Sequence, residues 1–223
     1  MYKEAIKDAI SMHELPSKWK SDLLVEANKV TEKKKTAKYR KDLRNLPFAT
    51  IDGADAKDFD DAVYCIKNAS DYKLYVAIAD VSFYVESGSK LDNEAKKRGT
   101  SIYFPGTVVP MLPESLSNGI CSLRPNEDRC SMICEMTIGL DGKRKKYKFY
   151  SGLINSKARL TYNQVENHLK DKASKINDAK VRNSIDTLKS LTNLRLKLRN
   201  QRKALEINPK ETILELGKNK EVN

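Results

Sequence analysis

The sequence predicts an α+β fold, with a mixed, largely antiparallel sheet and packed helices. Short apolar stretches of strand length occupy much of residues 62–160. An Asp-Gly dipeptide at positions 141–142 divides the last of these stretches as a β-hairpin turn does. Leucines recur at helical spacing after residue 176. A hydrophobic content of 39% in 223 residues is sufficient for a core.

The first part of the chain has helical composition. Residues 3–12 and 18–30 are predicted as two short helices. Pro16 separates them, because proline lacks the amide hydrogen that a helix interior needs. Ser17 is a candidate N-cap for the second helix, since serine hydroxyls accept hydrogen bonds from the first free amides.

A basic stretch separates these helices from the rest of the chain. Residues 31–44 are rich in Lys and Arg, contain few apolar residues and are predicted as an exposed linker. A short apolar run at 46–51 then leads into an acidic segment. We therefore expect two regions: a helical segment with its basic linker at residues 1–44, and a separate domain at residues 45–223.

The central region is predicted to be rich in strands. Residues 62–67 and 74–85 have apolar strand patterns, and the sequence between them has the composition of a hairpin turn. A helix is expected at 91–99, where Gly99 is a natural stop. The elements expected next are a strand and turn at 100–106, loop and short helix at 110–123, and a long hairpin at 130–160.

The last part of the chain returns to helical patterns. Thr161 is a plausible N-cap for a helix at 163–170. A longer helix is predicted over 176–205, because its leucines and isoleucines recur at helical spacing. A final strand is predicted at 211–216.

The charge of the chain limits its partners. The net charge is +12 and the pI is about 9.4, which favours a polyanionic partner. Basic residues are concentrated at 33–41, 143–148 and 180–203. Any one of these runs is equally consistent with a solvated surface, whereas three together point to nucleic acid. We expect a cytoplasmic protein without membrane contact, because no apolar run is long enough to span a bilayer.

The cysteines and histidines do not suggest a zinc site. Cysteines occur at positions 65, 121, 130 and 134, and no second pair stands at zinc-finger spacing. His13 and His168 have no cysteine or further histidine nearby in sequence to complete a zinc site. Reduced, mostly buried thiols are the expected state in a cytosolic protein.

Five aspartates within ten residues are the most unusual local feature. They are Asp52, Asp55, Asp58, Asp60 and Asp61. Like charges at this density repel one another unless a cation lies among them or solvent separates them. Hard divalent cations such as Mg²⁺ prefer carboxylate oxygens, and Gly53 allows the loop an unusual backbone conformation.

Alternatives to a metal site remain open at this point. An EF-hand loop is excluded, because Ala54 and Ala56 occupy positions that need oxygen ligands. A solvated acidic turn, or aspartates that only cap turns, would also fit the composition. A solvated turn explains Asp55 well, but it explains Asp60 and Asp61 poorly, since these precede an apolar strand pattern.

The segment IDGADAKDFDDAV, residues 51–63, resembles the signature of the ribonuclease II/ribonuclease R family. Further similar segments follow in the family's order: LYVAIADVSFYV, LDNEAKKRGTSIYFPGTVVPMLPESLSNGICSL, DRCSMICEMTIGLDG and KFYSGLINSKARLTY. HELPSKW, residues 13–19, resembles the segment just upstream of the catalytic domain. The resemblance implies the first part of an RNB-type catalytic domain, most similar to that of ribonuclease R.

The resemblance also implies an activity and its carboxylates. Members of this family hydrolyse single-stranded RNA from the 3′ end and release nucleoside 5′-monophosphates, with Mg²⁺ and no small-molecule cofactor. Asp52, Asp58 and Asp61 match the aspartates that hold or orient the metal. Asp60 matches the essential catalytic carboxylate, so all four belong to the implied catalytic set.

RNA-binding residues are implied in the same way. Tyr103 matches an aromatic residue that stacks on a base near the 3′ end, and Tyr162 matches an aromatic residue along the RNA path. Apart from the resemblance, Tyr103 is also consistent with a buried core tyrosine at a strand end. Arg98, Arg124 and Arg159 are candidate phosphate contacts by residue type, and each is equally consistent with an ordinary surface arginine.

Relative to the family pattern, parts are absent from this sequence. The cold-shock and S1 modules that accompany the domain in the family have no counterpart here. Nothing after Arg159 matches the arginine-rich motif of the second part of the catalytic domain. We therefore expect those domains as partners, and a truncated, catalytically silent RNA- or protein-binding fragment is the alternative to an active exoribonuclease.

Overall fold

The structure is a computed structural model, which describes residues 2–31, 39–170 and 174–205. The described chain divides into two compact units. The first unit contains residues 2–31, 85–116 and Leu205, and the second contains residues 39–84, 117–170 and 174–204.

The helices and strands are as follows. The helices are α1 (Tyr2–Met12), α2 (Ser21–Thr31), α3 (Val81–Tyr84), α4 (Lys90–Arg98), α5 (Tyr162–Leu169) and α6 (Ala179–Gln201), with a π-helical turn at Ser115–Ile120. The strands are β1 (Lys41–Asp42), β2 (Ala49–Asp52), β3 (Asp61–Lys67), β4 (Asp71–Ala79), β5 (Ile102–Phe104), β6 (Thr107–Val109), β7 (Asp128–Gly139), β8 (Arg144–Asn155) and β9 (Ala158–Thr161).

A seven-stranded sheet organises the second unit. Its strand order is β1-β8-β7-β4-β3-β2-β9. The four central pairings are antiparallel, whereas the outer pairs β1–β8 and β2–β9 are parallel. The predicted mixed, largely antiparallel sheet with packed helices is confirmed.

Both faces of this sheet are covered in part. On one face Phe48 and Phe59 pack with residues of the central strands, including Ile133. On the other face α6 crosses the sheet, and its Val181, Ile185 and Leu191 are buried. The hydrophobic effect therefore fixes the sheet between α6 and the segments that flank β2 and β3.

Several predicted elements are confirmed because local chemistry dictates them. Helix α4 ends at Gly99, whose φ of 73° is the left-handed conformation that favours glycine. The β7–β8 hairpin turns at Asp141-Gly142, where Gly142 has a φ of 78°. Thr161 caps α5 through a capping box with Gln164. Of the four free thiols, those of Cys65, Cys121 and Cys130 are buried, as expected.

Tertiary contacts override other predictions. The strand predicted over 74–85 ends at Ala79, because the side chain of Asp80 accepts hydrogen bonds from Ser82 and the Phe83 amide and begins helix α3. The Asp80 carboxylate also pairs with Arg40 at 2.7 Å, and both side chains are buried.

Three further predictions concern the second helix, the basic linker and the final strand. Helix α2 starts at Ser21 rather than after Ser17, and the Lys20 carbonyl accepts the hydrogen bonds of its first turn. Part of the predicted linker, Lys41–Asp42, is a strand of the sheet, while residues 32–38 lie outside the described residues. The strand predicted at 211–216 also lies outside them.

None of the described helices is both long enough and apolar enough to cross a membrane.

The buried Arg40–Asp80 pair generates a stability prediction. Asp80→Asn leaves the buried guanidinium without its countercharge, so the free energy of unfolding is expected to fall by about 3–5 kcal/mol. Urea denaturation followed by circular dichroism measures this. Asp22→Asn, which removes the exposed Asp22–Lys90 pair, is the matched control and is expected to leave stability unchanged. Equal effects of the two substitutions would contradict the assigned role of the buried pair.

Candidate active site

The aspartates lie on the connection between β2 and β3. Asp52 is the last residue of β2 and pairs with Thr161 of β9, while Asp61 is the first residue of β3 and pairs with Ile78 of β4. Asp55, Asp58 and Asp60 lie between them in the loop. The loop therefore begins and ends on strands of the rigid sheet, as a loop that positions functional groups requires.

Hydrogen bonds from a distant segment hold this loop. The Ser122 hydroxyl accepts a hydrogen bond from the Phe59 amide at 3.0 Å and donates one to the Lys57 carbonyl at 3.1 Å. The Leu123 amide donates to the Phe59 carbonyl at 2.8 Å. Phe59 itself is buried in the core. A single apolar ring between Asp58 and Asp60 thus anchors the loop.

The sequence analysis did not identify Ser122 or its support. Arg129 is buried and donates to the Ser122 carbonyl at 2.7 Å and to Glu127 at 2.6 Å. These residues lie more than sixty positions from the loop, so no local pattern connects them to it. The apolar Phe59 within the acidic run was the one available signal that the loop is anchored.

Arg159 contacts the backbone at the start of the acidic loop. Its guanidinium donates to the carbonyl oxygens of Gly53 and Ala54, at 2.8 and 2.7 Å, and lies 5.5 Å from the ring centre of Phe59. The pKa of Asp52 is raised, chiefly by burial, and the positive charge of Arg159 opposes part of this rise. Arg159 therefore fixes the start of the acidic loop, and its contact with a phosphate stays a prediction.

The electrostatics of the loop favour a bound cation. The pKa of Asp60 is raised, first by burial and then by the charges of Asp58, Asp61 and Asp52. The Asp60 side chain keeps contact with solvent. The pKa of Asp52 is also raised, by burial and by Asp61 and Asp58, against the opposing effect of Arg159.

One oxygen of Asp52 also lacks a hydrogen-bonding partner among the described residues that would stabilise its charge. It is the Oδ2 atom, which is buried. Hard carboxylate oxygens with raised pKa values, one of them without a donor, match the ligands that Mg²⁺ prefers. The chemistry of the donor set therefore fits a divalent cation.

The side chains are not arranged as a closed metal site. Across residues 2–31, 39–170 and 174–205, no group of three or more His, Cys, Asp or Glu side chains is positioned to hold a metal ion. The predicted convergence of Asp52, Asp58, Asp60 and Asp61 on one cation is thus supported by charge and chemistry but not by a formed coordination sphere.

The predicted RNA-binding residues have diverse environments. Tyr103 lies on the β5–β6 hairpin of the first unit with 66% of its surface exposed, and Tyr162 begins α5 in the second unit with 64% exposed. Arg124 is also exposed. All three side chains are accessible to a ligand.

Arg98 requires a correction. Its guanidinium pairs with Glu94 at 3.0 Å, donates to the carbonyls of Pro110 and Lys18, and lies 3.5 Å from the ring centre of Trp19. The side chain is buried within the first unit. Because these contacts use its donors inside the fold, Arg98 is assigned a packing role rather than a phosphate contact.

Comparisons of the sequence with protein families and with curated proteins find the same kind of relative. Residues 40–223 match the RNB domain. Ribonuclease R of Vibrio cholerae is 52% identical over 160 residues, which are 70% of this chain and 20% of that protein. The chain thus spans about a fifth of the length of this curated relative.

Two solved structures with a similar fold are also of a ribonuclease R. Ribonuclease R of Mycoplasma genitalium in complex with double-stranded RNA has a TM-score of 0.93 and 36% identity, over 98% of this chain and 39% of that one. The same protein with ribose-methylated single-stranded RNA gives a TM-score of 0.92 at 36% identity, over 98% of this chain and 34% of that one.

Repulsion within the loop generates a pH-dependent prediction. The folded state binds the Asp60 proton more tightly than the unfolded chain, so stability falls as the pH rises above the ordinary value of 3.8. Without metal, Asp60→Asn is expected to raise the melting temperature by about 2 °C near pH 7 and by much less near pH 4. Adding Mg²⁺ is expected to reduce the difference, because the cation relieves repulsion in the unmodified chain.

Thermal melts in EDTA and in Mg²⁺ measure this effect. Asp55→Asn, an exposed aspartate in the same loop, is the matched control. A melting temperature that falls on Asp60→Asn near pH 7 would show that the aspartates do not repel one another in the fold.

Proposed function

The chain belongs to the RNB-domain family that includes ribonuclease R, and on this premise we propose that it is the metal-binding part of a 3′-to-5′ exoribonuclease catalytic domain. The substrate in this proposal is single-stranded RNA, and the products are nucleoside 5′-monophosphates. The observation that carries the proposal is the sheet-anchored loop in which burial and mutual repulsion raise the pKa values of Asp52 and Asp60.

We assign roles to the four carboxylates. Asp52, Asp58 and Asp61 would hold Mg²⁺, which supplies Lewis acidity and lowers the pKa of a coordinated water when bound. Asp60 is the catalytic carboxylate. With its raised pKa, it is suited to accept a hydrogen bond from the attacking water and to receive its proton.

The proposed hydrolysis forms one bond to phosphorus and breaks another. The water oxygen bonds to the phosphorus of the last phosphodiester, and the bond from phosphorus to the 3′-oxygen of the preceding nucleotide breaks. The leaving 3′-oxygen takes a proton to become the new 3′-hydroxyl. The protein's part is to orient the water and the phosphate, so the rigid hold of Ser122 and Arg159 on the loop contributes directly.

The RNA path in this proposal uses exposed aromatic residues. Tyr103 and Tyr162 offer ring faces on which bases can stack without regard to sequence. The remaining modules expected from the family, cold-shock and S1 domains, would supply further RNA contacts. A cytoplasmic location is part of the same proposal.

Two observations favour a second candidate function. The described residues hold no formed group of three metal-ligating side chains, and nothing after Arg159 resembles the family's arginine-rich motif. A catalytically silent fragment that binds RNA or protein is consistent with both facts. Assays of cleavage and of binding on the same preparation discriminate between the two candidates.

The first functional prediction concerns Asp60. In a form of the protein that is active on uniformly labelled single-stranded RNA, Asp60→Asn is expected to abolish mononucleotide release while RNA affinity is kept or slightly increased. The reason is that the substitution removes the proton acceptor and one charge that repels phosphate. Product analysis by denaturing gel and filter binding measure the two quantities. Asp55→Asn is the control, and near-normal cleavage by Asp60→Asn would refute the assignment.

The second prediction concerns the 223 residues alone. We expect the purified chain to bind single-stranded RNA weakly and to cleave it about 10²–10³-fold more slowly than a ribonuclease R that has the arginine-rich motif. One preorganised contact to the reacting phosphate is missing, and such contacts typically carry this rate factor. Brisk, Mg²⁺-dependent release of 5′-monophosphates would show that the essential set lies within residues 1–223.

A further inference from the structure

Strand β8 presents basic and aromatic residues at an open part of the sheet. Strand β1 pairs only with Gly152 and Leu153 of β8. Among the described strands none pairs with the outer edge of residues 144–149, whose sequence is Arg-Lys-Lys-Tyr-Lys-Phe. This basic run is not used by the site described above.

Two rings of this strand lie side by side on one face. Tyr147 and Phe149 are two residues apart, so their side chains lie on the same face of the sheet. Their exposed fractions are 56% and 64%, and their ring centres are 5.7 Å apart in an edge-on arrangement. The guanidinium of Arg144 lies 4.7 Å from the ring centre of Tyr147. We call these three residues the β8 strip.

An arginine-rich groove adjoins the strip. It has a volume of about 610 Å³, lies between α6 and the sheet, and has an apolar floor that includes Leu74 and Met136. Four of the described residues that line it are arginines, and none of those described is acidic: Arg144, Arg195, Arg199 and Arg202. Arg144 belongs to both features, so strip and groove form one continuous surface.

The strip shares a face of the sheet with Asp61. Phe149 pairs with Cys134, Cys134 with Val76, and Val76 with Val63. Asp61 precedes Val63 by two residues and therefore lies on the same face, one row further along. Three strand spacings and two residues of rise separate Phe149 from Asp61 by about 16 Å. A few nucleotides of extended single strand would span this distance.

We propose that the β8 strip and the arginine-rich groove bind single-stranded RNA on its way to the aspartate loop. Bases stack on Tyr147, Phe149 and the guanidinium of Arg144, and phosphates accept hydrogen bonds from Arg195 and Arg199. The inference rests on the proposed function in taking RNA as the polymer. It adds a binding surface that the aspartates and the two tyrosines of the proposed path do not include.

Charge favours RNA over a protein partner for this surface. Ile78 and Met132 on the same face are also exposed, so an apolar protein surface is the competing occupant. The described charged residues of the groove are all cationic, however, and the chain carries a net charge of +12. Exposed aromatic rings beside arginines are the usual elements of a sequence-tolerant single-strand site.

The experiment measures affinity without cleavage. Fluorescence anisotropy of a labelled oligoadenylate of about ten nucleotides is recorded with the 223-residue chain in EDTA. Replacement of both rings by leucine, Tyr147→Leu with Phe149→Leu, keeps apolar area but removes the stacking faces. It is expected to weaken binding about 5- to 150-fold per stacked base. Arg195→Gln with Arg199→Gln removes two phosphate contacts. The plot of log K against log salt is therefore expected to become less steep by about 1.4.

Matched controls are available in the same unit. Tyr39→Leu removes an exposed ring away from the strip, and Lys175→Gln removes an exposed charge away from the groove. Both are expected to leave affinity nearly unchanged. Each variant is checked by thermal melting. If the leucine pair does not fold, the glutamine pair on the surface of α6 decides the question.

The outcomes separate this inference from the proposed function. If the unmodified chain binds the oligonucleotide and both pairs of variants bind equally well, the strip is not the site, although an RNA-binding protein remains. No binding by the unmodified chain would overturn both proposals. If instead the leucine pair keeps RNA affinity while Tyr147→Ala with Phe149→Ala changes self-association in sedimentation, the surface is a protein interface and the inference is wrong.

Discussion

Repulsion among the aspartates of residues 52–61 is the constraint to which the surrounding structure responds. Each carboxylate raises the cost of ionising its neighbours, and burial raises it further at Asp52 and Asp60. A free loop would spread these charges into solvent. Here β2 and β3 hold its two ends, and Ser122 and Phe59 hold its middle. The repulsion is therefore retained in the fold, where a cation can relieve it.

Four arginines stabilise this structure through contacts within the fold. Arg40 forms a buried ion pair with Asp80, the residue that follows β4. Arg129 donates a hydrogen bond to the carbonyl of Ser122. Arg159 donates to the loop backbone, and Arg98 is enclosed by Trp19 and two carbonyl groups. The side chains of Arg40, Arg98 and Arg129 are thus buried and are not available to RNA. The arginines that line the groove beside α6 are the ones placed together at a cavity.

The sheet also relates the two parts of the proposed RNA surface. One face of β3, β4, β7 and β8 carries Asp61 in one row and Phe149 in the next. Since strand spacing and residue rise are fixed by backbone hydrogen bonding, their separation is set by the sheet and not by flexible loops. A polymer bound at the strip would therefore meet the aspartate loop at a constant distance.

The sequence by itself determined the features whose causes are local. Glycines in left-handed conformations end α4 and turn the β7–β8 hairpin, Thr161 caps α5, and the aspartate density marks the candidate site. Only the tertiary structure decided the buried pairing of Asp80, the loop supports from Ser122, and the packing role of Arg98. Each of these depends on a partner far away in sequence, at separations of 40, 63 and 80 residues for Arg40–Asp80, Phe59–Ser122 and Lys18–Arg98. Local patterns report propensity and charge, whereas a buried ion pair or hydrogen bond forms only when the folded chain brings both groups out of water together.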